Sequence, residues 1–185
     1  MRLANRAVRL AAQTSLLLGL LSTSGFLLTR TYLGDDEQIY NDGAVTEVVS
    51  KGPVTIDNVE WKLDSIETYT KLVDDEGEEI ELGQPAGAVI IVATATVTPL
   101  DGLYMKDNGF TCSADLRDDR GNVWEAQQPY GYPMATYCSD DDHPFTRNKP
   151  GKVAQVYVVP ASAVPHLTGV QVENLDERRR VLITP

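Results

Sequence analysis

The stretch that most restricts what this chain can become is AVIIVATATVTPL, Ala88 to Leu100. It carries no charge and is dense in β-branched side chains, which crowd a helix and suit a pleated surface. Gly87 precedes it and Pro99 lies at its end, so a strand is expected here and a helix of the same length is not. Val89, Ile91, Ala93, Ala95 and Val97 share one face; Ile90, Val92, Thr94, Thr96 and Thr98 share the other. The run is apolar on both faces at its start and half polar at its end, as expected of a central strand in a sandwich.

The rest of the chain from Pro53 agrees. In VTIDNVEWKLDSIETY, Val54, Ile56, Val59, Trp61 and Leu63 alternate onto one face, with a change of phase at Asp57-Asn58 that indicates a bulge or turn. DDEGEEIELGQPAG reads as a long turn region. Cys112, Ala114 and Leu116 alternate inward before a DDRG turn, and Val123-Trp124 starts the return. In RNKPGKVAQVYVVP, Val153, Gln155, Tyr157 and Val159 oppose Ala154, Val156 and Val158, and LTGVQVEN and RRRVLITP form a closing hairpin. No helical period is found after residue 31. About seven short strands separated by Gly, Pro and Asp turns predict an all-β sandwich.

The N-terminus differs. MRLANRAVRL holds three arginines and no acid, and Leu10 to Thr29 is an uncharged run of 20 residues. As a helix it would span about 30 Å, the thickness of a hydrocarbon core. Its hydroxyl side chains can bond back to the helix backbone. Three readings stay open: an uncleaved transmembrane signal anchor, a signal peptide cleaved after STS that would leave GFLLTR as a greasy terminus, and a buried soluble helix. The first is preferred. No cysteine follows the apolar run, which excludes a lipoprotein anchor. The expected organisation is a basic end and anchor over 1–30, an acidic stalk over 31–52 and a sandwich over 53–185. Arginines at the start would hold that end in the cytoplasm and place the sandwich, by the C-terminus, outside the membrane.

Charge narrows the partners. Residues 31–185 hold 12 basic and 27 acidic residues, a net −15. Such a surface repels nucleic acid and anionic lipid. Outside the cytoplasm, Cys112 and Cys138 are expected to form a disulfide; two buried free thiols are the alternative. The pair lacks Cys-x-x-Cys spacing and no histidine is near Cys112 in sequence, which leaves a redox role without support.

The order of VTIDNVEWKLDSIE, GAVIIVATATVTP, CSADLRDDRGNVW, KPGKVAQVYVVPASAV, GVQVE and RRVLITP resembles the immunoglobulin-like extracytoplasmic domain of uncharacterised Gram-positive, actinobacterial-type lipoproteins and membrane-anchored proteins. The resemblance covers residues 53–185. It implies an immunoglobulin-like antiparallel β-sandwich and an exported location, with no agreed activity.

Few residues carry candidate chemistry. Tyr130, Tyr132, Met134 and Tyr137 lie between the cysteines, where rigid tyrosines would offer a binding surface or else pack over the sandwich. Asp140, Asp141, Asp142 and His143 are weak candidates for a divalent cation, since EF-hand spacing is absent, and a solvated acidic loop is the alternative. DERRRV, Asp176 to Val181, reads as a turn that neutralises itself. No nucleophile elbow, phosphate loop or cofactor motif is found, so an enzyme is not expected. The expected function is a membrane-anchored, non-enzymatic domain that binds a protein or cell-envelope partner; a binder of a small ligand or divalent cation is the alternative.

Overall fold

The structure, a computed structural model, describes residue 13 and residues 17–27, 43–105, 109–138 and 144–185. Met1–Ala44 and Val45–Pro185 form separate compact units. In the first, residues 17–27 are helical and all exposed. Ser22 donates its hydroxyl to the Leu18 carbonyl at 2.8 Å and Thr23 donates to Gly19 at 2.7 Å, so both polar side chains are satisfied within the helix. Among the described residues no helix is long and apolar enough to cross a membrane. Apart from Gln13, the remainder of the Leu10–Thr29 run lies outside the described residues.

The second unit is a β-sandwich. One sheet has the order β1-β11-β10-β7-β8, from Glu47–Ser50, Arg179–Thr184, Leu167–Asn174, Asp115–Asp118 and Val123–Trp124. The other is β2-β3-β6-β9, from Val54–Ile56, Val59–Tyr69, Ala88–Pro99 and Gly151–Pro160. A small hairpin, β4 (Leu72–Val73) with β5 (Glu79–Ile80), stands apart from both. The long uncharged run is β6, central in its sheet and paired antiparallel with β3 and β9. Its partner β3 carries a register shift between Leu63 and Ser65. The phase change at Asp57-Asn58 is the β2–β3 turn, where both residues take positive φ (49° and 56°).

The two sheets bury one core. Trp61 and Leu63 from β3, Ile91 and Val97 from β6, Val153, Tyr157 and Val159 from β9, Leu116 from β7, Val170 and Val172 from β10, and Val181 and Ile183 from β11 all lie inside it. Each large apolar side chain so buried contributes about 1.5–3 kcal/mol. Gly169, beside a bulge in β10, has no room for a side chain, since a Cβ there would sit 2.2 Å from the Ile183 carbonyl oxygen.

Three sequence expectations are corrected. The sandwich begins at Val45, not at Pro53: the stretch 31–52 read as a stalk contains β1, which pairs with the C-terminal β11. That pairing is parallel, so the sheets are not wholly antiparallel. Thr46 locks it: its N–H and hydroxyl donate to the Arg180 carbonyl at 2.8 and 2.9 Å, and its hydroxyl accepts the Arg180 N–H at 2.9 Å. Finally, a short 3-10 helix, Ala161–His166, follows β9 where no helix was expected. The Pro165 ring and the brevity of the segment hide any helical period in the sequence.

Cys112 and Cys138 are bonded, with a Cα–Cα distance of 5.6 Å. The segment between β8 and Cys138 forms a strap along β9, the edge of the four-stranded sheet. Gln127 donates to the Val156 carbonyl at 2.7 Å and Ala154 donates to Ala135 at 2.8 Å. The strap thus occupies hydrogen-bonding groups that an edge strand would otherwise present to another chain. Inside, two β9 side chains hold the residue just before β7 of the facing sheet. The Ala114 N–H donates to Gln155 Oε1 at 3.4 Å, and the Ala114 carbonyl accepts the Tyr157 hydroxyl at 2.7 Å.

Two stability outcomes follow from this region. Tyr157→Phe removes the donor to a carbonyl in the buried interior and is expected to cost about 1–3 kcal/mol in urea unfolding; no change in midpoint would show that the carbonyl finds another partner. Replacing both cysteines by serine is expected to cost about 2–4 kcal/mol. Far-ultraviolet circular dichroism should stay unchanged, because the strap keeps its own bonds to β9, and limited proteolysis should then cut first between Pro129 and Tyr137.

Candidate functional site

The outer face of the four-stranded sheet is apolar at one end. Ile90 and Val92 of β6 and Ala154 and Val156 of β9 point away from the main core and are nonetheless buried. This is the start of the uncharged run, where both faces are apolar. Two separate segments cover it. The β4–β5 hairpin and the residues after it supply Leu72, Ile80 and Leu82, while the strap supplies Tyr132 and Met134. They meet at the Tyr130-Gly131 turn: Gly131 takes φ +77°, and a Cβ there would lie 3.5 Å from the Asp74 Cβ.

Between hairpin and strap runs an open groove of about 290 Å³, lined by Tyr69, Lys71, Leu72, Val73, Tyr132, Pro133 and Met134. Tyr69 closes β3 at one end, and its hydroxyl donates to Glu67 Oε2. That bond, then burial and the Glu67 charge, push its pKa up to about 12. Burial, with the same carboxylate, raises Tyr132 as well. Both phenols are therefore neutral in ordinary conditions, offering apolar ring faces and polar tips. Tyr69 and Val73 stay 36% and 41% exposed, so part of this apolar lining faces solvent.

The candidate binding residues separate into two groups. Tyr132 and Met134 line the groove while packing on the sheet, so packing and surface roles coincide in them. Tyr130 stands 99% exposed at the strap turn beside it. Tyr137, next to the disulfide, is 36% exposed and does not line the groove. Asp140, Asp141, Asp142 and His143 lie outside the described residues, and among the described residues no group of three or more His, Cys, Asp or Glu is placed to hold a metal ion. Two of the three arginines of DERRRV find acids elsewhere, which corrects the self-neutralising turn. Arg179 pairs with Glu47 of β1 at 2.7 Å and Arg180 with Glu173 of β10 at 2.8 Å.

Sequence reasoning missed Tyr69, Leu72 and Val73. Their signal is the alternation in YTKLV, placed before an acidic stretch that looked like a turn. A second, wider hollow of about 510 Å³ lies on the other sheet and is lined by Asp57, Thr111, Ser113, Asp115, Gln171 and Glu173, among others. Burial, with Glu125 and Glu173, raises the Asp115 pKa there. Its lining residues are polar by type except Leu175, and it lacks the aromatic walls of the groove.

No protein-family model matches the chain, and no curated protein matches its sequence. Several solved structures are similar to it. A secreted protein of Mycobacterium tuberculosis, MPT63, superposes with a TM-score of 0.51 at 15% identity, over 76% of this chain and 99% of that one. An uncharacterised β-sandwich protein from Clostridium difficile gives 0.47 at 11% identity, over 76% and 93%. A conserved hypothetical protein from Bacillus anthracis gives 0.48 at 13% identity, over 74% and 94%. The chain shares its β-sandwich fold with the secreted mycobacterial protein.

Proposed function

We propose that this chain is an exported, non-enzymatic module of immunoglobulin-like type, held at the outer face of a membrane by its N-terminal segment, and that it binds a protein or cell-envelope partner through the groove between hairpin and strap. The observation that carries the reading is the fully exposed Tyr130, two residues along the strap from Tyr132, in whose groove Tyr69 forms the other aromatic wall. Aromatic residues on a backbone held by a disulfide and by edge-strand bonds present contact area with little entropy left to lose. Export is supported by the disulfide, by an apolar helical segment whose hydroxyls are satisfied internally, and by the secreted protein that shares the fold.

Two outcomes are expected. In intact protoplasts bearing the full chain with a C-terminal tag, added protease should remove the tag; a tag that survives until the membrane is permeabilised would reverse the topology. A photocrosslinking amino acid at Tyr130 should give a discrete adduct in the membrane-bound protein that disappears when Val73→Asp charges the groove. The same probe at Lys62, exposed beside Thr96 at the far end of the same sheet, should give none. Adducts indifferent to Val73→Asp would remove the groove from the reading.

A further inference from the structure

The groove is apolar, yet one of its walls belongs to the most acidic stretch of the described domain. Residues 71–81, KLVDDEGEEIE, hold six acids and one lysine, a net −5. Lys71 is the single basic side chain in the groove lining, and it already lies 3.9 Å from Glu79. The acids are displayed by a defined turn. Asp74 Oδ1 accepts the N–H groups of Glu76 and Glu78, each at 2.9 Å, which ties one carboxylate into the hairpin and leaves Asp75, Glu76 and Glu78 exposed. Asp74 also abuts Gly131 of the strap, so the charged turn and the tyrosine turn form adjoining parts of one rim. Glu67, at the far side, adds a carboxylate beside Tyr69.

On this surface, and resting on the reading of the groove as a docking site, we propose that the occupant is a basic protein segment that inserts an apolar side chain between Val73 and Tyr132 and sets its lysines or arginines against Asp75, Glu76 and Glu78. The choice follows from charge. An apolar anchor gives contact energy but no orientation, whereas complementary charge around it speeds encounter and fixes register. An anionic occupant, such as a phosphate-bearing envelope polymer or an acidic peptide, would meet repulsion from the hairpin and from the acidic surface around it. Tyr130, exposed beside the charged turn, can place its ring against an arginine or lysine of the same segment.

The experiment uses the full chain in neutral detergent micelles and fluorescent peptides of equal length: one with a central leucine flanked by lysines and arginines, one with that leucine replaced by serine, and one with glutamates for the basic residues. The first is expected to bind most tightly, to lose about tenfold in affinity between low salt and physiological salt, and to lose about tenfold again with Asp75→Lys, Glu76→Lys and Glu78→Lys combined. Val73→Asp should weaken it through the anchor. Asp74 is left intact because it holds the turn, and unchanged melting of each variant confirms the fold. Equal or tighter binding of the acidic peptide, or no loss with the lysine substitutions, overturns the inference. If no peptide binds while the Tyr130 crosslink still depends on Val73, the basic occupant is refuted and the groove stands. If the crosslink too is indifferent to Val73, both fall.

Discussion

The two sheets of this sandwich are joined most specifically at one residue that belongs to no strand. Ala114 precedes β7, and a buried peptide there would leave a donor and an acceptor without partners. Gln155 and Tyr157, two residues apart on β9 and so on one face, satisfy the N–H and the carbonyl respectively. The Tyr157 phenol is fully buried, and that burial, with Asp115 nearby, holds its pKa well above the ordinary value, so it remains a donor. Apolar side chains would fill this space equally well, but they would not set which residue of the loop faces which residue of the strand. The polar pair fixes that register, and with it the position of Cys112 two residues earlier.

Strand β9 then organises everything outside the core. Its inner face grips Ala114, its free edge is taken by the strap through Gln127 and Ala135, and its outer face offers Ala154 and Val156 to the cover. Gln155 serves two of these at once, since its Nε2 donates to the Thr136 carbonyl at 3.4 Å while its Oε1 receives Ala114. The disulfide closes the same circuit covalently. The strap cannot shift along β9 without breaking bonds of three kinds, which is why a turn as exposed as Tyr130-Gly131 can have a defined place.

What could be read in the sequence follows the range of the interactions. The alternation in β3, β6 and β9 is local, and Val54, Ile56, Trp61, Leu63 and Ile91 are buried as their spacing requires. Double-sided apolarity at the start of β6 also says that something must cover Ile90 and Val92. It does not say what, because the cover comes from a hairpin and a strap far apart in the chain. Glu47–Ser50 is a four-residue edge strand whose place depends on a parallel pairing with the other end of the chain and on the Arg179–Glu47 contact. Nothing within that stretch distinguishes it from a linker. The hairpin over 72–80 was hidden for a related reason: its acids resemble a turn, and its apolar residues count only once the patch beneath them is known.

The same logic explains why a candidate surface lies on the face of the sandwich and not at its ends. A sheet whose outer face is apolar at one end must be covered, but short segments cover it incompletely, because their backbones need water or partners along their own edges. The hairpin is held by β4–β5 pairing and the Asp74 turn, the strap by its bonds to β9. One segment is anchored on β9 and the other on itself, and the seam between them is the groove. Its apolar lining comes from Leu72, Val73, Pro133 and Met134, its aromatic walls from Tyr69 and Tyr132, and its acidic rim from a hairpin whose exposed edge is kept soluble by charge.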